Sequence, residues 1–193
     1  MTNRRGLLGL LAAAAAASLL PRAARAAAPR LRPPGALPPG KFEEACIGCF
    51  RCAEVCPPQA IRFPSALSLD AIHPFIAARE SACILCMKCT LVCPTDALTR
   101  VVATPDAVAR AVRMGLPSLK RQDCLPWSGR GLCRLCYYVC PYAGRAVELV
   151  GPRMAPLFHP EACVGCGLCE EACPEEAQAI RIRPPSEVGE ARG

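Results

Sequence analysis

The chain has 193 residues, including 16 cysteines and 21 prolines but only five Phe, three Tyr and one Trp. Cysteine at about 8% is the level at which composition indicates a cysteine-built scaffold, and this many prolines with so few aromatics argue against long helices around a large aromatic core. The formal net charge is +7, but four arginines in the first 26 residues, which hold no acid, supply more than half of it. The other basic residues are scattered, which argues against a nucleic-acid-binding protein.

Residues 1–26 are predicted to be an export signal. Arg4 and Arg5 precede an apolar stretch from Leu7 to Leu20, and small residues follow up to Ala26. The stretch is shorter than the ~20 residues that cross a bilayer as a helix, and the paired arginines are typical of the Tat route. We therefore expect a periplasmic protein that is exported in the folded state and cleaved after Ala26. An uncleaved anchor, with the protein peripheral on the inner membrane, remains the alternative.

Residues 27–40 follow as a Pro-rich segment. Five of the eleven residues from Pro29 to Pro39 are proline. Proline-rich chain is extended and semi-rigid, so this composition predicts a stiff exposed linker.

Four copies of one cysteine motif make up the rest of the chain. Three copies have the spacing Cys-x2-Cys-x2-Cys-x3-Cys-Pro, whereas in motif 3 the first gap is lengthened to eight residues, Leu125 to Leu132. The copies start 37, 41 and 39 residues apart and leave no cysteine over. Their cysteines are Cys46, Cys49, Cys52 and Cys56 in motif 1; Cys83, Cys86, Cys89 and Cys93 in motif 2; Cys124, Cys133, Cys136 and Cys140 in motif 3; and Cys163, Cys166, Cys169 and Cys173 in motif 4.

This spacing is the bacterial ferredoxin ligand run, in which three close cysteines bind one [4Fe-4S] cluster and the fourth binds the other cluster of a pair. Two-residue gaps let a tight loop present three thiolates, and the following proline turns the chain toward the neighbouring cluster. Structural zinc sites usually use two separated Cys-x2-Cys pairs, and a disulfide framework explains neither the trios nor the prolines. Sixteen cysteines at four per cluster predict four [4Fe-4S] clusters.

If adjacent motifs pair, each cluster takes three cysteines from one motif and the last cysteine of its neighbour. We name the resulting sets quartets. The first is Cys46, Cys49, Cys52 and Cys93; the second is Cys83, Cys86, Cys89 and Cys56; the third is Cys124, Cys133, Cys136 and Cys173; the fourth is Cys163, Cys166, Cys169 and Cys140. A nested pairing, motif 1 with motif 4 and motif 2 with motif 3, is not excluded by the spacing.

Short apolar runs follow each motif, at 60–63, 97–102, 146–150 and 179–182, and are strand-like in composition. Together with short helical turns at the cysteines they predict an α+β fold of two dicluster bacterial-ferredoxin-like modules, residues 41–103 and 118–184. A connector helix is predicted over 104–117, with Thr104 as its cap, Pro105 at its first position and Gly115 closing it. Residues 185–193 are predicted to be a flexible tail.

The paired arginines, the four motifs, the run Gly131 to Pro141 around motif 3 and the run Cys163 to Gly167 together resemble the NapG/MauM family of periplasmic ferredoxin-type proteins. The resemblance implies an exported electron carrier that works with a membrane-bound iron–sulfur quinol dehydrogenase, of the NapH type, and passes electrons to a periplasmic acceptor such as nitrate reductase. In its methylamine branch, the same type of protein accompanies methylamine dehydrogenase. An accessory or maturation role for such an enzyme is therefore the alternative.

We expect no catalysis by the chain alone. Fully ligated clusters leave no iron position open to a small-molecule substrate, and the sequence has no Rossmann glycine fingerprint and no phosphate-binding loop. The chemistry expected is one-electron exchange at each cluster. The insertion Leu125 to Leu132 breaks the repeat, and we expect it to contact a partner.

Overall fold

The structure is a computed structural model that describes residues 30–64, 72–174 and 179–185. The predicted export signal and nearly all of the predicted tail lie outside these residues. The described helices are α1 Lys41–Ala45, α2 Arg51–Glu54, α3 Lys88–Leu91, α4 Pro105–Ala111, α5 Leu125–Ser128, α6 Leu135–Tyr138 and α7 Leu168–Glu171. The strands are β1 Ile61–Arg62, β2 Phe75–Ile76, β3 Leu116–Leu119, β4 Val147–Val150, β5 Ala155–Phe158 and β6 Ile180–Arg183. In this part of the chain no helix is long and apolar enough to cross a membrane.

Each module is built from antiparallel strand pairs that flank the cysteine loops. In the second module β3 pairs with β6, with Leu119 opposite Ile180, and β4 pairs with β5, with Val147 opposite Phe158. In the first module β1 pairs with β2, with Ile61 opposite Ile76. The predicted α+β fold of short helices and strand pairs around cysteine clusters is confirmed.

A buried alanine followed by a buried branched residue comes after every motif. The alanine leaves room for the cysteine loop, while the branched side chain enters the core, so the same two positions are filled in the same way four times. The pairs are Ala60 and Ile61, Ala97 and Leu98, Ala146 and Val147, and Ala179 and Ile180. Three of the four predicted runs form strands here, whereas after motif 2 only Leu98 makes an isolated bridge, to Ala36.

The described part of the Pro-rich segment is packed against the first module, which corrects the expectation of an exposed linker. Leu31 is buried, and its carbonyl oxygen accepts a hydrogen bond from the Ile76 N–H at 2.7 Å. The Leu37 N–H donates to Ala97 and the Thr99 N–H donates to Gly35. The segment thus occupies the place in the first module that β3 occupies in the second. Pro33 and Pro34 have no N–H to donate, so the pairing stops at one bridge.

The connector begins as predicted and ends earlier. The Thr104 hydroxyl accepts a hydrogen bond from the Ala107 N–H, and Pro105 is the first residue of α4. The helix ends at Ala111, because Val112 is extended and the Arg113 guanidinium donates to the carbonyls of Ala109 and Val112. Gly115, expected to close the helix, lies four residues beyond its end.

Candidate metal centres

The third cysteine of every motif is the second residue of a one-turn helix. These cysteines are Cys52 in α2, Cys89 in α3, Cys136 in α6 and Cys169 in α7. In three motifs the residue before this helix has a left-handed backbone: Phe50, Met87 and Gly167 have φ of 64°, 56° and 89°. This conformation reverses the chain directly after the second cysteine. The two-residue gap is thereby converted into a tight loop that brings three thiols to one side.

A second left-handed residue precedes the second cysteine in motifs 1, 2 and 4: Gly48, Leu85 and Gly165, with φ of 63°, 60° and 75°. Its N–H points back to the first thiol of the motif. The Leu85 N–H donates to the Cys83 Sγ and the Gly165 N–H donates to the Cys163 Sγ, both at 3.4 Å. Backbone donors of this kind stabilise a thiolate and tune a cluster that it binds.

Two of the predicted quartets each line one cavity. The cysteines of the second quartet line a cavity whose apolar walls include Pro34, Ile61 and Ile76. The cysteines of the third quartet line another, beside Leu125, Pro156 and Ile180. In both cavities the fourth cysteine comes from the adjacent motif, as the neighbour pairing requires.

In the other two quartets the last cysteine of one motif likewise lies close to the first cysteine of the adjacent motif. Burial raises the pKa of the Cys46 thiol, and the neighbouring negative charges of Cys93 and Cys49 raise it further. Burial raises the pKa of Cys163, and Cys140 is the cysteine beside it. The last cysteine of each motif therefore lies next to the first cysteine of its neighbouring motif in both modules.

Burial dominates the thiol chemistry in the middle of the molecule. It raises the pKa of the Cys83 and Cys89 thiols to about 12 and that of Cys166 to about 11. Cys93 differs, because backbone N–H groups of Leu98 and Thr95 outweigh its smaller burial and lower its pKa. Buried thiols that resist ionisation in an apolar cavity become thiolates when a metal replaces the proton.

The donor set fits iron–sulfur clusters. All sixteen cysteines are free thiols, they converge in fours, and soft thiolates suit clusters of iron and sulfide. No three or more His, Cys, Asp or Glu side chains among residues 30–64, 72–174 and 179–185 are close enough together to hold a single metal ion.

The insertion in motif 3 replaces the left-handed loop of the other motifs with a helix. Cys124 is the residue before α5, and Trp127 in this helix donates from its Nε1 to the Pro156 carbonyl oxygen at 2.9 Å. The Arg121 guanidinium lies 4.2 Å from the centre of the Trp127 ring. The first half of the insertion is thus fixed to β5, whereas Leu132 at its end is 69% exposed.

Three residues that the sequence analysis did not single out hold the motifs in place. Thr90 and Glu170 directly follow the third cysteine of motifs 2 and 4, and both are buried. The Thr90 hydroxyl accepts a hydrogen bond from the Val101 N–H, and the Glu170 carboxylate accepts one from the Ile182 N–H at 2.7 Å. Each side chain ties its one-turn helix to the segment after the motif. In the sequence, the available signal was a polar residue directly after the third cysteine of a motif.

The third such residue, Arg79, connects the modules. It lies between β2 and motif 2, and its Nη1 donates to the Glu170 carbonyl oxygen at 2.8 Å and to the Cys173 carbonyl oxygen at 2.6 Å. These carbonyls are at the end of α7, where a cation is favourable. No local pattern reveals this contact, because the two sides are more than 90 residues apart.

Comparison with known proteins identifies the type of cluster domain. A family model described as a 4Fe-4S dicluster domain matches residues 45–97, which contain motifs 1 and 2, and one described as a 4Fe-4S binding domain matches residues 156–178, which contain motif 4. The dicluster match covers two adjacent motifs as a single domain.

Relatives with the same arrangement extend over most of the chain. The ferredoxin-type protein NapG of Escherichia coli is 37% identical over 191 residues, which cover 92% of this chain and 80% of the relative. The methylamine utilization ferredoxin-type protein MauM of Methylorubrum extorquens is 36% identical and covers 90% of this chain and 81% of the relative. MauM of Paracoccus denitrificans is 34% identical, with coverages of 87% and 77%. The chain therefore belongs to the NapG/MauM family of ferredoxin-type iron–sulfur proteins and is an electron carrier.

Proposed function

We propose that the chain carries electrons one at a time through four [4Fe-4S] clusters, one in each of the four quartets. The observation that carries this proposal is that the last cysteine of each motif lies beside at least the first cysteine of the adjacent motif. Two of the resulting quartets line cavities of their own. The dicluster match over motifs 1 and 2 supports the same pairing.

Within each quartet the protein supplies four thiolates, and the clusters supply the capacity to accept and release an electron. The surrounding residues exclude water and set the charge balance. The N–H groups of Leu85 and Gly165 favour the more negative, reduced state of the site beside them. Apolar walls disfavour added negative charge, so at the second quartet the wall at Ile61 opposes the effect of the Leu85 N–H, and at the third quartet the wall at Ile180 acts in the same sense as Ile61.

We further propose that the chain is exported by the Tat route and works in the periplasm. The paired arginines and the apolar stretch after them support this step. The resemblance to NapG supports a membrane-bound iron–sulfur quinol dehydrogenase as electron donor and a periplasmic reductase, such as nitrate reductase, as acceptor. The similar identity to MauM favours a second candidate, an accessory role for methylamine dehydrogenase or another periplasmic redox enzyme.

Iron analysis of paired cysteine variants tests the quartets. Cys46→Ala, at the first cysteine of motif 1, should destroy the first cluster and remove about four of about sixteen irons. Cys93→Ala should remove the same four, so that the double variant loses about four irons and not eight. The matched control is Cys93→Ala with Cys136→Ala, which should lose about eight. The nested pairing requires the reverse result for the two double variants.

Electron delivery tests the pathway. We expect reduction of the purified protein by a quinol only when membranes containing the quinol dehydrogenase are present, followed by reoxidation by the periplasmic acceptor. A variant that keeps about sixteen irons but cannot be reduced, and still supports the activity of a client enzyme, would favour the accessory role instead.

Deleting the insertion between Cys124 and Cys133 while keeping all clusters should slow electron delivery to the acceptor. Unchanged delivery would exclude the insertion as a partner contact.

A further inference from the structure

The two modules meet through motifs 2 and 4. The Cys83 N–H donates to the Cys166 carbonyl oxygen at 2.9 Å. Beside this bond the Met114 N–H donates to the Val164 carbonyl oxygen at 3.0 Å, which fixes the connector to motif 4. A cysteine of the second quartet and one of the fourth therefore belong to neighbouring backbones that are directly hydrogen-bonded.

Small residues make this approach possible. A methyl group placed on Gly167 would lie 2.5 Å from the Ala78 Cβ and 3.6 Å from the Ala82 Cβ, and one on Gly165 would collide with the Gly115 backbone. Ala78 and Ala82 are both buried. We call these residues, Ala78, Ala82, Gly115, Gly165 and Gly167, the junction. A larger side chain at Gly167 or Ala78 would push motifs 2 and 4 apart, and one at Gly165 would push the connector away from motif 4.

Within each module the two motifs are also adjacent. Helix α2 of motif 1 packs on α3 of motif 2, and α6 of motif 3 packs on α7 of motif 4. Cys52 is among the thiols that raise the pKa of Cys89, after burial, and Cys136 is among those that raise the pKa of Cys169, again after burial. The first quartet therefore adjoins the second, and the third adjoins the fourth.

Three contacts thus connect four quartets: first to second, second to fourth, and fourth to third. We propose that an electron crosses between the modules at the junction, from the cluster of the second quartet to that of the fourth, so that the clusters follow the spatial order first, second, fourth, third. This inference rests on the proposed function. In the crossing step the donor cluster is oxidised by one electron and the acceptor cluster is reduced by one, and no bond or proton changes place. Because electron tunnelling falls off exponentially with distance, the junction decides the route.

The two ends of this order are the first and third quartets, and each has exposed apolar side chains nearby. Cys49 of the first quartet is exposed, between the exposed Ile47 and Phe50. Beside Cys133 of the third quartet, Leu132 and Tyr138 are exposed. Ile84 and Leu91 of motif 2 are exposed as well, so it is the order, and not exposure alone, that assigns the donor and acceptor surfaces to the two ends.

Magnetic coupling between selected clusters tests the order. Replacing the second cysteine of a motif by alanine removes one thiolate and leaves a three-iron cluster, which is paramagnetic when oxidised while intact clusters are not. We expect the Cys86→Ala, Cys166→Ala double variant, with about fourteen irons, to show coupling as strong as the Cys49→Ala, Cys86→Ala variant. The Cys86→Ala, Cys133→Ala variant should couple at least several-fold more weakly. Stronger coupling in the Cys86→Ala, Cys133→Ala variant than in the Cys86→Ala, Cys166→Ala variant would overturn the order.

A second experiment uses variants that keep every cysteine, so that it still tests the order if a double cysteine variant loses more iron than expected. Ala78→Leu should widen the junction and reduce the spin–spin broadening of the fully reduced protein. Ala45→Leu is the matched control, since Ala45 directly precedes the first cysteine of motif 1 but lies outside the junction, and it should leave the broadening unchanged. Equal broadening in both variants would overturn the proposal.

The two proposals can fail separately. The expected coupling without electron delivery to any acceptor would overturn the proposed function and leave the order standing. Intact delivery with about sixteen irons, combined with the wrong coupling pattern, would overturn the order alone.

Discussion

The two modules share one plan and differ in how they complete it. In the second module the outer strand pair is a regular ladder of four residues on each side, β3 with β6. In the first module the corresponding pair is a single bridge, Ala36 with Leu98, because the first partner is proline-rich. In the first module, two backbone hydrogen bonds and the buried Pro33 and Pro34 hold the two segments side by side. The comparison teaches that this position of the fold requires a packed segment but not a regular β-strand.

The modules also differ in the buried polar residue that follows the third cysteine of their second motif. The first module has Thr90, whose neutral hydroxyl both donates to the Met87 carbonyl and accepts from the Val101 N–H. The second module has Glu170, whose carboxylate accepts from the Ile182 N–H. The same tether is thus built once from a hydroxyl and once from a carboxyl group, so only the second module has a titratable side chain at this position.

The largest effect is expected from emptying the core position that the two modules share. Leu98→Ala and Ile180→Ala each truncate a side chain that is 3% exposed, and each should lower the free energy of unfolding by about 2–5 kcal/mol. Leu98 and Ile180 belong to one core cluster that extends through both modules, so each variant should shift one common transition. Anaerobic denaturant unfolding, followed by circular dichroism and by visible absorbance, measures this.

Arg181→Ala is the control for this pair, because Arg181 is exposed between two buried residues of β6 and its loss should change stability by less than about 0.5 kcal/mol. Two separate transitions, each shifted by only one of the core variants, would show that the modules unfold independently.

A smaller effect is expected from removing the hydroxyl tether of the first module. Thr90→Val leaves the Val101 N–H without the acceptor that it has in the native protein, at a cost of about 1–3 kcal/mol in the free energy of unfolding. Thr90→Ser keeps the hydroxyl and should retain most of the stability. If the valine and serine variants unfold at the same midpoint, the tether does not stabilise the module.

The smallest effect, and the one specific to the second module, is on pH dependence. Burial raises the pKa of the Glu170 carboxyl above its usual 4.5. The native protein therefore holds a proton that the unfolded chain has released, so stability falls as pH rises from about 4.5 through the native pKa. Glu170→Gln should flatten this part of the curve of unfolding midpoint against pH. Glu171→Gln, at an exposed neighbour, should follow the parent curve. If Glu170→Gln also follows the parent curve, the pKa of Glu170 does not change on folding.

Local patterns predicted most of the architecture. The cysteine spacings predict the tight loops, Thr104 and Pro105 predict the start of the connector, and the apolar runs at 146–150 and 179–182 become strands. These signals work because backbone preference, capping and alternating burial are decided within a few residues.

Contacts between distant segments were not predictable in the same way. Prolines from 29 to 39 indicate an extended segment, but not that Gly35 and Leu37 pair with the chain after motif 2. Gly115 has the local signature of a helix end, yet it fits tightly against Gly165 instead. Arg79 and Ala78 have no periodic signature, so the contact between motifs 2 and 4 becomes visible only when the modules are placed together.

The exposure of Cys49 also affects where oxidative damage to the protein begins in air. Dioxygen and peroxide reach an exposed thiolate before buried ones, and Cys83, Cys89, Cys166 and Cys169 are all buried. Under the proposed order, oxidative damage starts at one terminus and spares the central contacts. A molecule that has lost the cluster of the first quartet would then still hold three adjacent clusters and could transfer electrons among them.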